Sequence, residues 1–169
     1  MTFDFSWLIG GPQGSGVDTA ANIFSRVGIK LGYHVFGKRE YHSNIKGQHS
    51  YFVVRISDKK IHSNINGADF MVAFDAETMI RHGLEILKDG AIIYDSSIVN
   101  TTIDEIPTLE TGYRERLSEF FNSKGKEPNV SSILDLAKEN GVKLYPISFR
   151  DTLSNIANEL NESKLSGMI

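Results

Sequence analysis

The sequence predicts an α/β fold: a single domain with a mainly parallel sheet flanked by helices. Three observations predict it. Short apolar, strand-like segments alternate with stretches whose apolar residues recur every three to four positions. The first strand, a glycine loop, a helix and a second strand fit between Phe3 and Phe36, the compass of one βαβ unit with a right-handed crossover. The 169 residues, 40% hydrophobic and 23% charged, suffice for one sizeable core and rarely for two.

Each element can be justified in order. Phe3–Ile9 reads as a buried strand running into Gly10-Gly11-Pro12-Gln13-Gly14-Ser15-Gly16. Val17, Ala20, Ala21, Phe24, Val27 and Leu31 then form one apolar helix face, which Gly32 closes. Tyr33–Phe36 is a second strand, and the polar stretch from Gly37 to Ser50 is a long loop. Tyr51–Ser57 alternates as a strand, Asp58-Lys59-Lys60 turns, and Ile61–Ile65 reads as a short strand. Phe70–Phe74 is a continuously apolar, buried strand, with Asp75 at a helix N-cap position. The helix through Glu77–Leu87 points Met79, Ile80, Leu84 and Leu87 inward. Asp89-Gly90 turns into the strand Ala91–Tyr94. Two helices follow, Gly112–Lys124 and Ser131–Asn140, as an insertion before the last strand, Val142–Ile147. Asp151–Leu160 is a final helix. A glycine turn between strand and helix gives the domain a Rossmann-like character.

Composition excludes several classes. Lys and Arg number 18 against 21 Asp and Glu, a net charge of −3, which argues against a dedicated nucleic-acid binder. The chain has no cysteine, so it can ligate no iron–sulfur cluster and form no disulfide or thiolate metal site. The apolar runs Phe70–Phe74 and Ala91–Tyr94 are too short to span a membrane. The N-terminus lacks a basic region followed by a cleavage pattern, and a soluble cytoplasmic domain is expected.

Two segments carry chemistry. The glycine loop departs from the dinucleotide fingerprint, since from Gly11 the spacing is G-x-x-G-x-G. It departs from the P-loop too, because Val17 and Asp18 stand where lysine and a hydroxyl residue belong. There remains a tight turn (Gly11, Gln13, Gly14, Gly16) presenting backbone N–H groups at a helix start, suited to an anionic or carbonyl ligand. The alternative is a turn needed for packing alone. The second segment, Gly37–Ser50, gathers Lys38, Arg39 and Lys46 with His42 and His49 at the edge where open parallel sheets bind ligands. Three cations there can hold a phosphate. Glu40 lies where a Rossmann domain places its ribose-binding acid, so nucleotide binding remains an alternative. His42 and His49 lack a carboxylate at metal-ligand spacing apart from Glu40, so no zinc site is expected. His82 reads as an exposed helix residue, Asp75 as a helix cap and Asp95 as a turn residue. No catalytic triad is evident, and no catalytic residue is assigned.

Taken together, these residues resemble a known family. Ile9-Gly10-Gly11-Pro12-Gln13-Gly14-Ser15-Gly16 is similar to the glycine loop opening the gamma domain of 2-oxoacid:ferredoxin oxidoreductases, the pyruvate and ketoisovalerate enzymes among them. The stretch from Tyr41 to Ser50 with Val54-Arg55-Ile56-Ser57 resembles that domain's second signature. Gln48 replaces the signature's second glycine, and Pro12 a glycine of the first. Ala68-Asp69, Asp75-Ala76-Glu77, Gly90 with Tyr94-Asp95-Ser96, and Leu144-Tyr145-Pro146-Ile147 match in order. The resemblance implies part of an enzyme that oxidatively decarboxylates a 2-oxoacid to acyl-CoA and passes electrons to ferredoxin. It implies thiamine diphosphate and iron–sulfur clusters in other domains or subunits, and alpha and beta parts as partners within an oligomer. The insertion at 111–140 looks like the archaeal type, in which the gamma domain is fused ahead of the alpha domain. Residues 1–169 are therefore expected to be one domain and a fragment of a longer subunit. A coenzyme A contact in the complex is expected from the glycine loop with Lys38, Arg39 and Lys46. Two other classes compete: a free-standing nucleotide-binding dehydrogenase domain, and an assembly domain with no ligand.

Overall fold

A computed structural model describes residues 2–41 and 49–159. In chain order the elements are β1 (Asp4–Pro12), α1 (Val17–Lys30), β2 (His34–Tyr41), β3 (His49–Ser57), β4 (Ala68–Ala73), α2 (Ala76–His82), β5 (Ile86–Asp95), α3 (Thr111–Ser123), α4 (Val130–Glu139), β6 (Lys143–Ile147) and α5 (Phe149–Glu159). The strands form one six-stranded sheet in the order β2-β3-β1-β4-β5-β6. β3 pairs antiparallel with both β1 and β2, and the remaining pairs are parallel, so β3 alone runs against the others. This is the mainly parallel α/β domain that the sequence predicts.

The faces of the sheet are covered unequally. On one face Leu8, Met71 and Ile92 meet Met79 and Ile80 of α2, Phe121 of α3 and Ile133 of α4 in the larger core. On the other face α1 seats Val17 and Ala21 against Trp7, Ile9, Val54 and Ile56. Gly28 lies close to the sheet: a Cβ there would stand 3.1 Å from both Val35 and Ile56. Phe24 packs on Trp7 of β1 with ring centroids 4.6 Å apart.

The structure corrects the expected face of α1. Val27 and Leu31 are 48% and 70% exposed, and Ile23 is 59% exposed. With Ala20 they make a second apolar ridge. Because Gly28 faces β2 and β3 while Phe24 faces β1, the ridge lies on the flank of α1 toward β4. Beside it, Phe70, Val72 and Phe74 with Ile93 of β5 and Tyr145 of β6 share the same sheet face and are only partly covered. Parallel strands normally carry helices on both faces. Here α2 and α4 pack on the opposite face, leaving this half-face about one helix wide.

Three further expectations change. No strand forms at 61–65, and β4 begins only at Ala68. The helix after Asp75 ends at His82 and passes through a 3-10 turn at Gly83–Glu85 into β5, which leaves Leu84 and Leu87 exposed. The cause is the approach of α4: a Cβ on Gly83 would stand 2.4 Å from Ile133, and β5 must start at Ile86 to pair with Ala68. Asp89-Gly90 lies within β5 as an irregularity, with Asp89 at φ 65° where the pairing with β4 shifts. The helices expected at 112–124 and 131–140 are present as α3 and α4.

Candidate functional site

The C-terminal ends of the parallel strands bring the glycine loop, the start of β3 and Asp75 to one edge. β1 ends in a tight turn in which Pro12 O accepts from Ser15 N at 3.0 Å. Gly14 sits at its third position with φ 95°, the left-handed conformation of a type II turn. Gly16, at φ 88°, caps α1 without a side-chain hydrogen bond. A Cβ on Gly14 or Gly16 would meet nothing within 4 Å, so both are required for their backbone angles and not for space. Gly11 is required for space, since its Cβ would lie 2.9 Å from Cβ of Phe74. Gln13 is exposed beside the turn. Replacing Gly14 by Val should therefore destabilise the domain by about 1–3 kcal/mol through backbone strain. Chemical denaturation measures this, and a midpoint equal to that of the wild type would show the turn to be conformationally permissive.

The expected group of cations is rearranged. Lys38 and Arg39 lie in β2, not in a loop, so successive side chains leave the sheet on opposite faces. Arg39 Nη2 bonds Asp18 of α1 at 2.5 Å. Lys38 pairs with Glu40 on the other face and borders an open cavity of about 750 Å³ with Leu8, Tyr51, Asn64 and Glu85. Lys46 and His42 fall outside the described residues. The connection between β2 and β3 is residues 42–48, half the length expected from composition.

The structure adds a buried polar cluster that sequence reading missed. His49 opens β3 and is 2% exposed; His82 ends α2 and is 7% exposed. Their Nε2 atoms face each other at 3.1 Å. His82 Nδ1 donates to Glu85 Oε2 at 2.8 Å. Asp75 caps α2 as expected, accepting from Thr78 N at 2.8 Å and from Thr78 Oγ1 at 2.6 Å, and burial raises its carboxyl above the usual range. Thr78 Oγ1 lies 3.5 Å from His49 Nδ1. Tyr51 stacks between the imidazoles and Glu40, donating its hydroxyl to Glu40 at 2.6 Å; burial first and the carboxylate second push the phenol upward. The signal was available in the spacing. Asp75 and His82 are seven apart, two helical turns on one face, and His49 and Tyr51 are two apart on one strand face. Among the described residues no group of three or more His, Asp or Glu is arranged to hold a metal. Asp95 caps the following turn, accepting from Ser97 N at 2.8 Å.

With this geometry in hand, the chain can be set beside known proteins. The family model described as "Pyruvate ferredoxin/flavodoxin oxidoreductase" matches residues 6–169. The chain belongs to that family. It is 43% identical over 155 residues to the 2-oxoacid:ferredoxin oxidoreductase 1 subunit alpha of Sulfurisphaera tokodaii, covering 92% of this chain and 24% of that protein. It is 42% identical over 155 residues to the corresponding subunit alpha of Saccharolobus solfataricus, again over 91% of this chain and 24% of the relative. The chain thus spans about a quarter of the relatives it matches. The 2-oxoglutarate:ferredoxin oxidoreductase of Magnetococcus marinus shares the fold with a TM-score of 0.53 and 19% identity, over 86% of this chain and 34% of that one. That structure holds 2-oxoglutarate, coenzyme A and succinyl-CoA. No helix among the described residues is long and apolar enough to cross a membrane.

Proposed function

We propose that this chain is the gamma-type domain of a 2-oxoacid:ferredoxin oxidoreductase, and that its loop edge forms part of the coenzyme A site of the assembled enzyme. The reaction is the oxidative decarboxylation of a 2-oxoacid to acyl-CoA, with electrons leaving to ferredoxin. The observation that carries this reading is the Gly11–Gly16 turn opening α1 at the ligand edge of the sheet, in a chain of this family. The chain lacks the cysteines that an iron–sulfur cluster needs, so the electron path lies in other domains or subunits. The cations divide between two tasks. Arg39 is paired with Asp18 and Lys38 with Glu40, where they order the edge, and Lys46 in the 42–48 connection is the residue assigned to a coenzyme A phosphate. Hydrogen exchange on the assembled enzyme tests this. Coenzyme A should slow exchange at residues 11–16 and 42–48, and unchanged exchange in both segments would place the ligand elsewhere.

The bare half-face beside α1 favours an accompanying assembly role. Relatives are about four times the length of this chain, and an adjoining part of the polypeptide or a partner subunit would bury Ile23, Val27 and Phe70. Because Ile23 and Val27 are already in water, the double variant Ile23→Lys/Val27→Lys should change the stability of the isolated chain by less than about 1 kcal/mol. In the assembled enzyme it should weaken association of the parts. Equal co-purification of variant and wild type, with melting curves superposed, would remove the ridge from the interface.

A further inference from the structure

We propose that His49 and His82 bind one proton as a unit, and that this proton places a positive charge beneath the loop edge and strengthens the binding of anions there. The inference deepens the coenzyme A reading and rests on it.

Proton counting supports a one-proton site. Two imidazole Nε2 atoms 3.1 Å apart need a single hydrogen between them, and two would repel. His82 Nδ1 is committed as a donor to Glu85. The pair therefore accommodates two protons when neutral and three when charged, never four. The site for the third is His49 Nδ1, facing Thr78 Oγ1 at 3.5 Å. In the charged form every bond in the row has one donor: His49 Nδ1–H toward Thr78 Oγ1, and Thr78 O–H toward the Asp75 carboxylate. In the neutral form the single hydroxyl proton of Thr78 cannot serve both His49 Nδ1 and Asp75. The proton comes from solvent and goes to a ring nitrogen, and no other bond changes.

The surrounding charges favour the cation. Glu85 faces His82 directly from the 3-10 turn, with its side chain 54% exposed. Glu40 of β2 approaches through Tyr51 of β3, and Asp75 lies at the far end of the row. Arg81 of α2 opposes them, but Glu77 and Glu110 hold its guanidinium at 2.8 and 2.9 Å. Lys38 is neutralised by Glu40, and Tyr113 of α3 lies under Arg81. The link to the loop is contact. The His49 ring packs against Gly10, where a Cβ would stand 3.2 Å from His49 Cε1, and His49 pairs with Pro12 across the strands. An anion at the turn therefore lies near the charged ring, in a partly desolvated setting where Coulomb terms exceed those in water.

Ring-nitrogen NMR of the 169-residue chain between pH 5 and 8.5 tests the site without any ligand. Both rings should respond to one shared proton, near the ordinary histidine range, with His82 keeping its Nδ1 hydrogen throughout. Glu85→Gln, a substitution at an exposed carboxylate, should lower the shared midpoint by about half a pH unit to one unit. Independent titration of two protons, or a pair that stays neutral down to pH 5, overturns the proposal. Coenzyme A affinity of the assembled enzyme supplies the second reading. It should weaken about tenfold from pH 6 to pH 8, beyond the change that His82→Gln retains from the ligand's own phosphates. Equal pH dependence in wild type and His82→Gln, with NMR showing the shared proton, overturns the coupling. Absence of coenzyme A binding at pH 6 overturns the coenzyme A reading itself and the coupling with it, and is recognised by an intact NMR titration.

Discussion

The 169-residue chain on its own should unfold in one cooperative transition and turn over no 2-oxoacid. The first half follows from the core. Phe121, Met71, Met79, Ile92 and Ile133 are fully buried together, and a second cluster around Trp7 and Val54 ties α1 to the sheet. Two clusters that share the strands of one sheet unfold as a unit in domains of this size. The second half follows from chemistry. Electrons from a decarboxylated 2-oxoacid must reach an acceptor, and a chain with no cysteine supplies no cluster ligand for them. The chain also spans about a quarter of its relatives. Incubation with a 2-oxoacid, coenzyme A, thiamine diphosphate and a viologen dye should give no reduction above the protein-free rate. Reduction by this chain alone would mean that the active centre is here and that the assignment to a supporting domain is mistaken. Adding the remaining parts should restore turnover, an effect of many orders of magnitude and the largest expected for this protein.

How much of this was legible in the sequence varies with the kind of information each element carries. Strands that are apolar on both faces, such as Phe70–Phe74, announce themselves because no other structure buries such a run so briefly. Asp75 was legible as a cap because the N-cap rule is local, and the bond to Thr78 N bears it out. The end of the following helix was not legible. Leu84 and Leu87 continue the helical period, and only the position of Ile133 on α4, fifty residues later, stops the helix at Gly83. The ridge on α1 failed for the opposite reason. Val27 and Leu31 are apolar at helical spacing, but a helix lying over β1, β2 and β3 has a buried arc centred on Val17, Ala21 and Gly28 that excludes them. Polar composition made Lys38, Arg39 and Glu40 look like loop, although alternation in a half-exposed edge strand permits charge on both faces. His82 looked exposed because a lone histidine on a polar helix usually is. Its partner His49 lies thirty-three positions away, beyond the reach of any local pattern.

Lys46→Ala should raise the coenzyme A KM of the assembled enzyme by roughly 10–150-fold, the equivalent of losing one charge-assisted phosphate contact of about 1.5–3 kcal/mol. Lys38 and Arg39 make useful comparisons because their partners are known. Arg39→Ala leaves Asp18 uncompensated in the first turn of α1, next to the anion-facing turn, so its effect on coenzyme A mixes a lost cation with an exposed acid. Lys38→Ala frees Glu40, whose other oxygen holds the Tyr51 hydroxyl, and disturbs the face away from α1 first. Lys46 differs in position. It lies in the short connection between β2 and β3, and Tyr41 and Ser50 pair at the ends of those strands beside Gly11. A connection of seven residues anchored at both ends cannot carry Lys46 far from the glycine turn. The decarboxylation half-reaction, followed with dye in the absence of coenzyme A, should change little, because coenzyme A enters after carbon dioxide leaves. The split between the two measurements separates ligand contact from general damage. A coenzyme A KM equal to that of the wild type, in a complex of unchanged composition, would assign the 42–48 connection to packing between domains and leave the glycine turn as the ligand's only contact on this chain.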